Sequence, residues 1–117
     1  MIFVFGSNLA GRHGKGAALE ARKKYGAKYG IGVGRTGDAY AIPTKSHKLA
    51  TLPLSQIKLY IEEFLAYAKK HMELDFMVTR VGCGLAGYKD EDIAPMFVGA
   101  TANVHLPLCW NSLIEGK

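Results

Sequence analysis

The stretch Phe3-Val-Phe-Gly-Ser-Asn-Leu-Ala-Gly-Arg-His-Gly-Lys-Gly-Ala-Ala18 reads as strand, loop and helix. Ile2 to Phe5 are apolar and suit a buried strand. Gly6, Gly11, Gly14 and Gly16 punctuate tightly, and Ala17-Ala-Leu-Glu-Ala-Arg22 is built from good helix formers. Such a loop leaves backbone N–H groups pointing outward at a helix start. With the positive end of the helix dipole and the charges of Arg12 and Lys15, those donors suit a phosphate or pyrophosphate. A second stretch, Val81-Gly-Cys-Gly-Leu-Ala-Gly-Tyr88, also follows an apolar run (Phe76, Met77, Val78, Val81) and precedes a predicted helix. Two loops of this kind in one short chain point to a single cleft.

Outward from the first loop, the helix is predicted from Gly16 to about Tyr25, with Gly26 as its stop and Lys23 and Lys24 in its last turn. Its inward line is Ala18, Ala21 or the stem of Arg22, and Tyr25. Residues 27–38 hold Gly30, Gly32, Gly34 and Gly37, which predicts a flexible loop or irregular ribbon. Gly32-Val-Gly34 completes no dinucleotide fingerprint, and no helical pattern follows it. Ala39-Tyr-Ala-Ile-Pro43 reads as a strand ended by its proline, with Thr44-Lys45-Ser46-His47 leaving as a polar loop.

Pro53 and Ser55 then announce the best helix, where Ile57, Tyr60, Ile61, Phe64, Leu65 and Ala68 recur as one apolar stripe. A buried strand is predicted from Asp75 to Val81, a helix near Glu91 capped by Asp90 with Asp92 in its first turn, and a last strand from Ala102 to Leu106. The tail from Asn111 to Lys117 is expected to fray. Strands alternating with helices imply parallel crossovers and an α/β sandwich, in which ligands bind beyond the carboxyl ends of strands.

A chain of 117 residues can bury one sizeable core, so one domain over residues 1–117 is expected. The 21% charged and 49% apolar composition excludes disorder. A net charge of +5 favours anionic partners without separating a nucleotide from a polynucleotide. No run approaches a membrane span, and Met1-Ile-Phe-Val-Phe-Gly6 has neither the basic flank nor the length of a signal peptide, so the expected location is cytoplasmic with no membrane partner. Cys83 and Cys109 have no metal-ligand spacing and read as structural thiols rather than a disulfide or a zinc site. His13, His47, His71 and His105 form no ligand pattern either, and the sequence asks for no metal and no cofactor.

Three pieces together resemble the macrodomain family of ADP-ribose-binding α/β modules. Gly14-Lys-Gly-Ala-Ala-Leu-Glu-Ala-Arg-Lys-Lys-Tyr-Gly26 is similar to that family's small-residue loop and first helix. Tyr40-Ala-Ile-Pro-Thr-Lys45 is similar to its strand ending in Thr-Lys, and Thr79-Arg-Val-Gly-Cys-Gly-Leu85 to its second phosphate loop. Order and spacing agree to about Phe97, and the resemblance is nearest to the branch that removes terminal ADP-ribose from protein carboxylates.

The resemblance implies a compact three-layer sandwich with a mixed, largely parallel sheet. It implies that Gly14, Lys15, Gly16 and Ala17 line the diphosphate from one side and Gly82, Cys83, Gly84, Leu85, Ala86, Gly87 and Tyr88 from the other. Asn8 falls near the distal ribose, Thr44 borders the ligand, and Lys45 matches the branch's catalytic lysine. The implied partner is ADP-ribose or a related nucleotide-diphosphate sugar, free or attached to a macromolecule.

Two departures follow. The strand that carries the adenine-reading aspartate in many relatives has no counterpart here. Ala86 stands where the hydrolase branch has an aspartate, and alanine moves no proton. Hydrolysis is therefore expected to be weak or absent unless Asp90 or Asp92 supplies the acid.

Other readings stay open on the residues. His13 could touch phosphate or move a proton, although an exposed histidine is the simpler reading. Cys83 could be a nucleophile, although a small residue packing its loop is the simpler one. Tyr88 and Phe97 could stack on a base or belong to the core. A nucleic-acid surface could use Arg12, Lys15, Arg22, Lys23, Lys24, Lys28 and Arg35 with Tyr25, Tyr29 and Tyr40 interleaved. A small structural or assembly protein is the third class.

Overall fold

The computed structural model describes residues 1–114. In chain order the elements are β1 (Ile2–Asn8), α1 (Gly16–Lys24), β2 (Gly34–Thr36), β3 (Ala39–Lys45), α2 (Leu54–Lys70), β4 (Phe76–Val78), α3 (Asp90–Ile93), β5 (Val104–His105) and α4 (Asn111–Ile114), with 3-10 turns at Ala94–Phe97 and Leu108–Trp110. The strands form one sheet in the order β2-β3-β1-β4-β5. β1 runs parallel to β3 and β4, β4 parallel to β5, and β2 antiparallel to β3.

Successive side chains of β1 point to opposite faces, and both faces are covered. Ile2 and Val4 join one apolar cluster with Tyr40, Ile42 and the buried side of α2, whereas Phe3 and Phe5 join another with Ala39, Ala41 and α1. A strand buried on both faces is apolar at consecutive positions rather than at alternate ones. The small Ala18 and Ala21 let α1 sit close to the sheet, and the Tyr25 ring at its end stacks on Phe3 with centroids 4.4 Å apart. On the other face α2 buries Ile57, Ile61, Phe64 and Ala68, while Tyr60 and Leu65 flank them half-buried. Phe64 meets the rings of Tyr40, Phe76 and Phe97 at centroid distances of 5.0, 5.4 and 6.3 Å. The result is an α/β/α sandwich around a mixed, mostly parallel sheet. Among the described residues no helix is long and apolar enough to cross a membrane.

The glycine-rich residues 27–38 follow the irregular-ribbon alternative rather than the flexible loop. They carry β2 and pack backbone to backbone behind the first loop. Gly30 N–H donates to the Gly11 carbonyl at 2.8 Å, and the Ser7 hydroxyl donates to the Gly32 carbonyl. A Cβ on Gly32 would stand 2.0 Å from the Asn8 carbonyl oxygen, and one on Gly11 would stand 2.2 Å from the Gly30 carbonyl carbon. Close approach, rather than pliability, accounts for glycine at these two positions.

β3 continues past Pro43 to Lys45, where a polar loop was predicted. β2 pairs only Ala39 to Ala41 of β3, so Pro43 lies beyond that ladder and its missing N–H interrupts no β2–β3 bond. β4 and β5 are shorter than predicted, because the chain turns at residues 79–82 and pairs only Phe76 and Met77 with Val104 and His105. Asp90 is the first residue of α3 rather than its cap, and Asp92 accepts the Lys89 N–H at 3.1 Å instead. Of the tail, Asn111–Ile114 is helical and residues 115–117 lie outside the described part.

Asn103 fixes the far end of α2. Its buried Nδ2 donates to the carbonyls of Ala68, His71 and Leu74 at 2.9, 3.2 and 3.1 Å, while its Oδ1 accepts from the Thr101 hydroxyl at 2.6 Å. Those carbonyls include helix-end acceptors that the helix itself cannot satisfy.

Candidate functional site

Because β1 and β4 are parallel neighbours, the loops that follow them leave the same edge of the sheet side by side. β3, on the other flank of β1, ends at that edge too. Between them lies a cleft of about 820 Å³. Gly6 marks the convergence: a Cβ there would stand 3.4 Å from the Gly82 nitrogen and 3.6 Å from the Thr44 hydroxyl oxygen.

One wall comes from the first loop and α1, where Gly14, Lys15, Gly16 and Ala17 line the cleft. α1 starts on Lys15 with no side-chain cap and no acidic residue in its first turn. Its leading N–H groups are thus unclaimed by the helix at the cleft wall. Asn8 shapes this loop. Its Nδ2 donates to the Arg12 carbonyl and its Oδ1 accepts the Arg12 N–H, both at 2.9 Å. One amide hydrogen and one acceptor lone pair of Asn8 remain for other partners.

The opposite wall is the second loop, where Gly82, Cys83, Gly84, Leu85 and Ala86 line the cleft. The loop is closed on itself by Tyr88 N–H donating to the Gly82 carbonyl at 2.9 Å and Gly87 N–H to that of Gly84 at 3.0 Å. Gly84 is open, with nothing within 4 Å of a Cβ built on it. Gly87 and Tyr88 fall outside the lining. The Tyr88 hydroxyl donates to the Leu52 carbonyl at 2.6 Å and so anchors the loop from behind.

Thr44 and Lys45 complete the floor from β3. The Thr44 hydroxyl donates to the Ser7 carbonyl at 3.2 Å, and Asn8 lies opposite Lys45 in the β1–β3 register. Among the described residues no carboxylate forms an ion pair with Lys45. Asp90 is committed elsewhere. The Arg80 guanidinium grips it through Nε at 2.9 Å and a terminal nitrogen at 2.6 Å, and the indole N–H of the buried Trp110 donates to it at 2.6 Å. These donors, Arg80 first, hold the Asp90 carboxyl well below the usual carboxylate range.

Two further side chains bear on the readings that the residues left open. His13 is fully buried instead of exposed. Its Nε2 donates to the Ile31 carbonyl at 3.2 Å, its ring stands edge-on to Phe5 and Tyr29, and its Nδ1 has no partner among the described residues. Burial lowers its pKa, partly offset by that carbonyl. The Cys83 thiol is pushed up to about 12, by burial first and then by the neighbouring Asp90. A thiol held neutral in this way is a poor nucleophile.

The cleft also takes in residues that the pattern of glycines did not single out, among them Ser7, Tyr29, Leu49 and Arg80. Arg80 directly precedes the second glycine loop, and its position there was the available signal. Leu49 carried none, and Tyr29 was read only as an aromatic among basic residues, because each reaches the cleft through tertiary placement of a turn.

A mostly parallel α/β sandwich with its cleft at the carboxyl edge of adjacent strands, walled by two glycine loops, defines a class of small-ligand-binding folds. Within that class the chain has the macrodomain fold. The macrodomain of Mycobacterium tuberculosis DarG superposes with a TM-score of 0.70 at 20% identity, covering 90% of this chain and 86% of that one. Thermosipho africanus DarTG, solved in complex with ADP-ribose, gives 0.62 at 19% identity over 92% of this chain, which spans 38% of that protein. A Bacteroides thetaiotaomicron protein of unknown function gives 0.59 at 17% identity, with 91% and 88% covered. No sequence-family model matches the chain, and no curated protein matches it.

Proposed function

We propose that the chain binds ADP-ribose in this cleft, with the pyrophosphate between the two glycine loops and the second ribose at Asn8 and Lys45. The observation that carries the reading is the convergence of both loops and of Arg12, Lys15 and Lys45 on one cleft, where the neighbouring Arg80 is already paired with Asp90. Glycines let backbone N–H groups approach phosphate oxygens, and the basic lining favours an anion. The volume lies in the range usual for small-molecule sites. A protein of the same fold solved with ADP-ribose supports the ligand class.

The function is binding, with weak or absent release of ADP-ribose from modified carboxylates. A positioned acid or base commonly supplies about a hundredfold to ten-thousandfold in rate. Ala86 supplies none, Asp90 is held by Arg80 and Trp110, and Asp92 accepts the Lys89 N–H. Lys45 is the one candidate left for attack at the sugar, without a paired carboxylate.

Calorimetry with ADP-ribose, AMP and a short oligonucleotide at low and high salt tests the reading. ADP-ribose binding with little salt dependence is expected, whereas preferential oligonucleotide binding that collapses with salt supports a nucleic-acid protein. Gly84→Val has room to fold and should abolish nucleotide binding, so unchanged affinity counts against the site. Asn8→Ala should weaken ADP-ribose several-fold, for a lost hydrogen bond costs on the order of 1 kcal/mol. On an ADP-ribosylated glutamate substrate, turnover gained only in Ala86→Asp supports the binding role. Robust wild-type turnover lost in Lys45→Ala refutes it.

A further inference from the structure

His13 stands between Arg12 and Gly14, which both line the cleft, yet its own ring is fully buried and takes no part in the lining. The imidazole is wedged between β1 and residues 29–31. Phe5 lies edge-on to it with centroids 5.5 Å apart, Tyr29 does so at 6.0 Å, and Nε2 donates to the Ile31 carbonyl at 3.2 Å. Upstream of the ring the loop has other support: Gly11 N–H donates to the Asn8 carbonyl at 2.9 Å, the Gly11 carbonyl accepts from Gly30, and the Asn8 amide grips Arg12. Downstream that support ends. Among the described residues the His13 ring makes the one hydrogen bond that ties residues 13–15 to chain outside the loop and α1. A Cβ on Gly14 or Gly16 would meet nothing within 4 Å, so packing adds no tie at those glycines. Residues 13–15 lead straight into the first N–H groups of α1, and the ring thus sets where those donors stand.

A neutral imidazole suits this place and an imidazolium does not. With the Nε2 proton spent on Ile31, a second proton goes to Nδ1, which is buried without an acceptor among the described residues. Phe5 on β1 offers no charge, residues 29–31 bring the phenol of Tyr29, and α1 presents the Arg22 guanidinium, which repels a cation. Arg12 and Lys15 add positive charge from the loop itself. Burial lowers the His13 pKa, and no carboxylate is among the groups that act on it. An unpaired charge in such a place is costly enough for the ring to leave it.

We propose that His13 is a positioning residue for the first glycine loop: neutral, it pins residues 13–15 for the diphosphate, and on gaining a proton it releases them, so that acid weakens ADP-ribose binding. The inference rests on the reading above that the diphosphate lies against this loop. ADP-ribose has no terminal phosphate of the kind that titrates at about pH 6, so the charge of the ligand stays constant over the range in question.

Calorimetry with ADP-ribose between about pH 8 and 5 on wild type, His13→Gln and His47→Gln tests this, each titration run below the melting temperature measured at that pH. The wild type should hold its affinity down to the ordinary histidine value of about 6.5 and lose several-fold by about pH 5. His13→Gln keeps a donor for Ile31 and cannot titrate, so its affinity should be the same at both ends of the range. His47→Gln, in the turn after β3, should keep the wild-type profile. Linkage gives a second readout that needs no variant. Because ADP-ribose favours the neutral ring, it should move the His13 titration, followed by NMR of the imidazole protons, to lower pH. The inference is overturned by a wild-type affinity that is constant with pH, or that rises with acid as an imidazolium attracting the phosphates would require. A wild-type slope retained in His13→Gln or lost in His47→Gln overturns it too, as does a His13 titration that ADP-ribose leaves in place or raises. Each of these outcomes leaves the binding function standing, whereas a wild type that binds no ADP-ribose at any pH overturns that function itself.

Discussion

The hydroxyl of Thr51 donates to the carbonyl of Ala86 at 3.0 Å, tying the chain beyond β3 to the second loop. Thr51 also bridges Lys45 through the backbone, so the floor and one wall of the cleft share a strut. Thr51→Val keeps shape and removes the bond. It should leave the melting temperature nearly unchanged, since Thr51 is exposed, and weaken ADP-ribose a few-fold, in keeping with a net hydrogen-bond worth of about 0.5–1.5 kcal/mol. Thermal denaturation and calorimetry on the same preparation separate the two effects.

Asp90 gives the protein an acid-sensitive tie. Its folded-state pKa is depressed, chiefly by the Arg80 guanidinium and then by the Trp110 N–H. The stability it contributes is therefore full above the ordinary aspartate value of about 3.9 and is lost as pH falls through the folded-state value. Asp90→Asn keeps an acceptor for Trp110 and loses the charge. It should melt below wild type at neutral pH, with the gap closing under acid conditions. A gap that stays constant with pH would show that the charge contributes nothing.

His13 should produce a second pH dependence, at a higher pH. Its Nε2 already donates to Ile31, so protonation would put a proton on Nδ1, which faces no acceptor among the described residues. The folded-state pKa is lowered, so below about 6.5 the unfolded chain binds the proton more readily than the folded one. Stability then rises with pH through this window. His13→Gln cannot titrate and should flatten the melting-temperature profile between about pH 8 and 5. A variant with the same slope as wild type would assign that slope to other groups.

The two cysteines should react at very different rates. Cys83 is half-buried, with its thiol pushed up to about 12, whereas Cys109 is exposed. Iodoacetamide at mildly alkaline pH should modify Cys109 first, as read by peptide mass spectrometry, because only the thiolate attacks. Preferential labelling of Cys83 would mean that its loop opens.

Much of this architecture was legible in the sequence because it rests on local chemistry. The stripe from Ile57 to Ala68 had to be buried somewhere, and consecutive apolar residues at Ile2 to Phe5 required a strand covered on both faces. The two loops could be found because glycines after an apolar run announce a strand-to-helix turn. Residues whose role depends on distant partners were not legible in this way. Nothing near Asn103 says that it will collect three carbonyls from the end of α2 and the turn beyond it, and nothing near His13 says that residues 29–31 will enclose it. Glycine content at residues 27–38 was ambiguous in principle, since a missing Cβ serves both freedom and close approach.

The interlock of Gly11 with Gly30, and of Gly32 with Asn8, bears on how this site could be moved or redesigned. The first glycine loop has a rear surface made of another segment's backbone, so its shape is not a property of its own residues. A graft of residues 6–18 into another scaffold would leave that support behind, and a shuffled library that recombines between residues 18 and 30 would separate two halves of one part. The transferable unit is the whole span from β1 through β3.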